Sequence, residues 1–210
     1  VTNDFGPRAG GIETFIIGLL ERMPKGEVIV YTSGQSGSES FDKRWLESYG
    51  VRVIRDSSKI LLPSPRVVRA VRKVIKQSKV EKVWFGAAAP LALSARFLRV
   101  GNVKKIVALS HGHEVWWSKV FPFNLAMKEI ARSVDALTFL GDYTGSVIKK
   151  NFKGRAKLLK IAPGIDINHF KPERDLSKIS EVRSELKIGS EPLILSVGRL
   201  VHRKGQDKLI

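Results

Sequence analysis

The chain has 210 residues, 43% of them apolar and 27% charged, the composition of a folded globular protein rather than a disordered or fibrous one. Lys and Arg number 37 against 20 Asp and Glu, and the resulting charge of +17 points to an anionic partner: nucleic acid, a phosphorylated substrate or an acidic lipid surface. The absence of cysteine excludes disulfides, Cys-ligated zinc, iron–sulfur clusters and thiol nucleophiles, and no run of about 20 apolar residues is present to span a bilayer. No basic-then-apolar leader opens the chain, and its start at Val1 rather than Met leaves room for an upstream piece.

Apolar runs of strand length at 28–32, 51–54, 82–85, 105–109, 136–140, 158–161 and 193–197 alternate with helical patterns near 12–22, 66–79, 91–99, 124–133, 143–151 and 177–186. Short uninterrupted strands alternating with helices predict a parallel sheet covered on both faces, a doubly wound α/β fold. The first strand reads as clipped, because a helix follows residues 1–11 with almost nothing before it. After Ile161, Pro163-Gly164-Ile165-Asp166 breaks the rhythm and a polar stretch follows. We therefore expect a Rossmann-like domain over 1–165, a linker with one short helix over 166–190, and the first strand and loop of a second Rossmann-like domain over 191–210.

Four motifs carry chemistry. Gly10-Gly11 precede an amphipathic run of Ile12, Phe15, Ile16, Leu19 and Leu20. Glycines at a helix start let an anion approach free N–H groups; a tight turn needing a positive φ is the competing explanation. Ser110-His111-Gly112-His113-Glu114 follows a strand, where open α/β sheets bind ligands. Hydrogen bonding to a polar substrate is favoured there over a turn with satisfied imidazoles, and a metal site ranks last. Gly198 to Gly205 places Arg199 and Lys204 around a loop, suited to gripping phosphate oxygens or to simple solvation. Finally, the predicted helix 66–79 aligns Val67, Val68, Val71, Val74 and Ile75 opposite Arg66, Arg69, Arg72, Lys73 and Lys76. The apolar stripe is what a sheet-covering helix needs, and the basic face is a candidate for anionic lipid.

Taken in order, these motifs resemble the retaining glycosyltransferases of family 4, which have the GT-B architecture of two Rossmann-like domains. Thr2-Asn3-Asp4-Phe5 with Pro7 and Gly10-Gly11-Ile12 resembles that family's first strand end and glycine loop. Pro163-Gly164-Ile165-Asp166 with Phe170 resembles its crossover, and Ser196-Val197-Gly198-Arg199-Leu200 through Arg203-Lys204-Gly205 its donor-diphosphate loop. The 110–114 string and Arg203-Lys204-Gly205-Gln206-Asp207 are closest to the phosphatidylinositol-mannoside mannosyltransferase branch. The resemblance implies an enzyme that transfers a hexosyl group, mannosyl in the nearest branch, with retention. The donor would be a nucleotide diphosphate sugar, GDP-mannose or a UDP-sugar, and the acceptor lipid-linked, phosphorylated or a glycan.

It further implies His111, Arg199 and Lys204 as catalytic residues, and Gly10, Gly11, His113, Glu114, Asp4 and Phe5 as substrate-binding. No metal or cofactor would be required, since the leaving phosphate would take the acceptor's proton. The protein would be cytoplasmic, peripheral on the inner membrane face through Arg66, Arg69, Arg72, Lys73 and Lys76. The family's Glu-x7-Glu segment would lie beyond Ile210, so residues 1–210 alone are expected not to turn over. Against this stands a non-catalytic basic module for nucleic acid or membrane, though no helix-turn-helix, zinc or aromatic-platform signature supports nucleic acid. A dinucleotide oxidoreductase ranks last, because no Gly-x-Gly-x-x-Gly opens a helix.

Overall fold

Runs such as Lys82–Phe85 (KVWF) and Lys105–Ser110 (KIVALS) are β-branched and aromatic without polar alternation, the composition of strands buried on both faces. In a computed structural model, which describes residues 1–152, 156–198 and 200–209 but not the Arg203 side chain, these runs lie in parallel sheets. The chain divides into two units, Val1–Pro163 and Gly164–Ile210.

In the first unit, β1 (Ile29–Thr32) pairs with β2 (Arg52–Arg55), and β3 (Lys82–Phe85), β4 (Lys105–Ser110), β5 (Ala136–Phe139) and β6 (Lys157–Lys160) form a second parallel sheet in that order. The register aligns Ile29 with Arg52, Lys82 with Lys105, Val107 with Ala136 and Ala136 with Lys157. Residues 1 and 2 join the sheets. Thr2 N–H donates to Tyr31 O at 3.1 Å, while Val1 N donates to Trp84 O at 2.7 Å and Gly86 N–H to Val1 O at 3.0 Å. The combined order is β2, β1, residues 1–2, β3, β4, β5, β6. From residues 1–2 the chain runs outward to β2, then crosses back to β3. The connection reverses between residues 1–2 and β3, and ligands of open α/β sheets bind at such a reversal, beyond the carboxyl ends of the strands.

Helices cover both faces. Val30 and Trp84 pack into one cluster with Phe5 of the first loop, Ile16 and Leu20 of α1 (Gly11–Leu20) and Trp45 of α2 (Glu39–Tyr49). Their neighbours Tyr31 and Val83 point the other way, against α3 (Pro65–Gln77), the 3₁₀ helix Leu91–Leu98 and α5 (Phe123–Ser133), as strand alternation requires. Between α3 and α5 the 3₁₀ coil, where an α-helix was expected, turns Leu91, Ala92, Ser94, Ala95 and Leu98 all inward; its alanines let both neighbours approach. The short α4 (Glu114–Lys119) and α6 (Asp142–Ile148) complete the unit. Helix α2 went unread in the sequence because most of it is polar, although Phe41, Trp45 and Tyr49 recur at every fourth position.

The second unit holds α7 (Leu176–Glu185), started by the Asp175 side chain accepting from Ser177 N–H at 3.0 Å, a 3₁₀ turn His202–Lys204 and α8 (Gln206–Leu209). The run 193–197 forms no strand among the described residues. Leu193, Ile194, Leu195 and Val197 are exposed, and no second strand among the described residues of this unit offers them a ladder.

Candidate active site at the switch point of the sheet

The sequence places a different loop at each strand end around the reversal. Asn3 to Gly11 leave the edge after residues 1–2, Gly86 to Pro90 follow β3, and His111 to His113 follow β4. Gly86 is required by close approach: a Cβ there would stand 2.5 Å from Thr2 Oγ1 and 2.7 Å from Ile16 Cδ1. The Gly86 carbonyl accepts from His111 Nε2 at 2.7 Å. A carbonyl cannot donate, so Nε2 carries the proton and Nδ1 is the ring nitrogen left for a ligand. His113 is fixed likewise, its Nε2 3.1 Å from Ala89 O. Phe15 of α1 rests edge-on against the His111 ring at 5.4 Å, bringing the helix that follows the glycines beside the histidine.

Glu114 lies completely buried under this turn, accepting from Ser110 Oγ at 2.9 Å and His111 N–H at 3.2 Å. Its Oε1 accepts no hydrogen bond and stands 3.3 Å from His113 Nε2. Glu114, expected at the substrate, therefore holds the histidine turn from below.

At the start of α1, Gly10 is extended (φ −178°), so the positive-φ explanation does not apply. Gly10 offers no capping side chain, and no other side chain caps the first N–H groups. Around Gly11 a Cβ would meet nothing within 4 Å, but at Gly10 it would stand 2.2 Å from Glu13 Oε2, so the Glu13 carboxylate lies folded back beside the helix start. Glu13, buried in the first turn, is neutralised by Arg8, which approaches its Oε1 at 2.7 Å and lies 3.6 Å from Asp4. Asp4 is half-buried, and its carboxyl is raised above the usual range by burial first and then by the Glu13 charge, with Arg8, His111 and His113 opposing. Sequence reasoning missed Arg8 and Glu13; their spacing of five residues matches neither helix nor strand. Phe5, expected to face the acceptor, is instead fully buried, edge-on to Phe41 and Trp45 at 5.3 and 5.2 Å. The aromatic stripe of α2, Phe41 and Trp45, claims it.

Beside this centre a cleft of about 810 Å³ is lined by Pro7, Arg8, Gly34, Gln35, Ser36, Ser57 and Lys59. Asn3 pins its far loop, accepting from Leu61 N–H at 2.6 Å and donating to Leu61 O at 3.0 Å. Of the expected basic face, Arg66 is withdrawn: it grips buried Asp56 at 2.7 and 3.0 Å and Ser58 Oγ at 2.6 Å. Tyr31 donates to the same carboxylate at 2.5 Å. The Arg66 guanidinium foremost holds Asp56 well below the carboxylate range, against its burial, while burial foremost pushes Tyr31 up. Among the described residues, Arg69, Arg72, Lys73 and Lys76 make no ion pair and line a shallow groove of about 390 Å³ with Gln77. In the second unit Lys204 is exposed, and Arg199 lies outside the described residues. No helix among the described residues is long and apolar enough to cross a membrane.

The profile of Glycosyltransferase Family 4 matches residues 9–169. Along its full length the chain is 38% identical to a Mycolicibacterium smegmatis protein named "GDP-mannose-dependent alpha-(1-6)-phosphatidylinositol monomannoside mannosyltransferase", of which it covers 54%. It is 37% identical to a Mycobacterium tuberculosis protein of the same name, again covering 54%. A Corynebacterium glutamicum "GDP-mannose-dependent monoacylated alpha-(1-6)-phosphatidylinositol monomannoside mannosyltransferase" is 35% identical, with 55% covered. The chain thus spans about half the length of the curated relatives it matches. Among solved structures, Anabaena Alr3699/HepE in complex with UDP superposes with a TM-score of 0.63 at 16% identity, over 89% of this chain and 49% of that one. Its complex with UDP and glucose gives 0.60 at the same identity and coverage. These structural likenesses concern the fold.

Proposed function

Because the chain belongs to Glycosyltransferase Family 4, we propose that it supplies the acceptor side of a mannosyltransferase that moves mannose from GDP-mannose to a phosphatidylinositol mannoside, with retention at the anomeric carbon. The observation that carries this reading is the locked histidine: the His111 Nε2 proton is committed to Gly86 O at 2.7 Å, so Nδ1 stands as a positioned acceptor at the switch point. There it takes a hydrogen bond from a hydroxyl of the transferred sugar. The N–H groups opening α1 beyond Gly10 and Gly11 bind the donor diphosphate, an anion suited to a helix N-terminus. Arg199 and Lys204 are assigned to the same diphosphate from their motif, stabilising the leaving charge that takes the acceptor's proton. Asp4, close to Arg8 and Glu13, meets acceptor hydroxyls, and the cleft beside Lys59 admits the headgroup.

The four unpaired cations of α3 hold the protein on an anionic bilayer, where such charges contribute about 1 kcal/mol each near the surface. Peripheral binding of this kind suits a lipid acceptor and a water-soluble donor.

The test uses the full-length protein that contains this chain, with radiolabelled GDP-mannose or UDP-glucose and phosphatidylinositol monomannoside in vesicles. Transfer from GDP-mannose alone is expected, with an α-linked product and a loss of about 100-fold in kcat for His111→Ala. Transfer only from UDP-glucose, or a His111→Ala enzyme with unchanged kcat, overturns the reading.

A further inference from the structure

Residues 115–128 contain Trp116, Trp117, Phe121, Phe123 and Leu125, two lysines and no acidic residue. The fold uses only some of them. α5 buries Met127, Ile130 and Ala131 on its inner side, and Trp117 packs against that core, yet Trp116 is 53% exposed, Phe121 76% and Leu125 51%. Trp116 nonetheless has a packing partner, its ring 4.7 Å from that of Phe123. Tyr143 of α6, 66% exposed, adjoins the same corner: Lys119 Nζ donates to its hydroxyl at 3.2 Å and lies 5.6 Å from its ring centroid. Four large apolar or aromatic side chains left more than half exposed along one short stretch and its neighbouring helix, with Lys119 among them, are what a docking surface presents.

We infer that this corner, formed by Trp116, Phe121, Leu125 and Tyr143, inserts into the headgroup–acyl boundary of an anionic bilayer beside the acceptor. The inference rests on the lipid-acceptor reading above and extends it from electrostatic attraction to insertion. The chemistry selects a bilayer. Trp and Tyr each pair an apolar ring with a polar tip, the combination favoured at membrane interfaces. Lys119 and Lys128 supply charge of the sign that anionic headgroups attract, and Lys119 is held by a phenol rather than by a carboxylate.

Position supports the same partner. α4 begins at Glu114, next to His113, so the corner adjoins the turn that presents His111. α3 and α5 both pack on the 3₁₀ helix Leu91–Leu98, so the free cations of α3 and this corner belong to one layer on the same face of the sheet.

The experiment uses the full-length protein with vesicles of phosphatidylcholine and phosphatidylglycerol whose acyl chains are brominated near the headgroup. Quenching of tryptophan fluorescence is expected, and Trp116→Phe should abolish most of it. Phe121→Ser, at an exposed position, should weaken vesicle binding about tenfold, a loss that high salt leaves in place. Replacing Arg69, Arg72, Lys73 and Lys76 by Gln should instead remove the salt-sensitive part of binding while the remaining bound protein stays quenched. Bound protein without quenching, quenching indifferent to Trp116→Phe, or Phe121→Ser with unchanged affinity overturns the inference. So does a dimer that Phe121→Ser dissociates, since a second copy would then cover the corner. Transfer to a deacylated acceptor in solution separates the two readings. Its absence in every variant counts against the transferase, whereas its persistence in Phe121→Ser with vesicle binding lost supports insertion.

Discussion

Replacing Gly86 by Ala tests whether the switch point is as tightly built as it stands. The added Cβ would lie 2.5 Å from Thr2 Oγ1, 2.7 Å from Thr2 Cβ and 2.7 Å from Ile16 Cδ1, all nearer than real Cβ contacts come. Both neighbours are buried, Thr2 3% exposed within the sheet and Ile16 2% exposed on the inner face of α1, so neither yields freely. Overpacking of this kind costs about 1–3 kcal/mol. For a unit of this size each kcal/mol lowers Tm by about 2–4 °C, so a fall of roughly 2–12 °C is expected by differential scanning fluorimetry. The same residue bonds Val1 through its N–H and His111 through its carbonyl, so relief of the clash moves the histidine. A displacement near 1 Å at a reacting group lowers rate by about 100-fold, which mannosyl transfer by the full-length protein would read in kcat. A variant with unchanged Tm and full kcat refutes the reasoning, and one that loses stability but keeps kcat refutes the link from Gly86 to His111.

Asp56→Ala leaves the buried Tyr31 hydroxyl without its acceptor, a loss of about 1–3 kcal/mol that chemical denaturation measures. Because Asp56 titrates lower in the fold than in the unfolded chain, its stabilisation is present above its ordinary carboxylate pKa and is lost as pH falls toward the folded value. Acid titration of stability should therefore be flatter in the variant than in the parent. Asp4 has the opposite sign. Its raised carboxyl opposes folding at neutral pH and ceases to do so as acid protonates it, so Asp4→Asn should raise Tm at neutral pH and lose that advantage in acid. The same change should raise KM for the acceptor more than for GDP-mannose. Glu114→Gln keeps the shape under the histidine turn and an oxygen that can accept from Ser110 Oγ and His111 N–H. Glu114→Ala, which removes that acceptor, should lower kcat further than Glu114→Gln with an unchanged acceptor KM, and equal losses in the two would refute the role of those hydrogen bonds.

Six of the strands were legible because each is a short apolar run bounded by turn residues, and their alternation with helices gave the doubly wound order. The apolar stripe of α3 was equally clear, since Val67, Val71 and Ile75 bury as their spacing predicts. What escaped depends on partners distant in sequence. Arg66 looked like one more exposed cation until β2 brought Asp56 to it, and Phe5 looked like a cleft residue until α2 brought Phe41 and Trp45. The 110–114 string marked a candidate site but not how its side chains are held, which is set by carbonyls of Gly86 and Ala89 that carry no side-chain signal. The run 193–197 had a strand's composition but pairs with no strand among the described residues.

The Asp56 carboxylate has a consequence for reach. It ties Arg66, at the start of α3, to Ser58, in the loop that carries Ser57 and Lys59 at the cleft. Through that tie the first turn of α3 and the rim of the cleft hang on one buried carboxylate, so a change at Asp56 would be felt at the cleft as well as in the helix, although Asp56 itself belongs to neither.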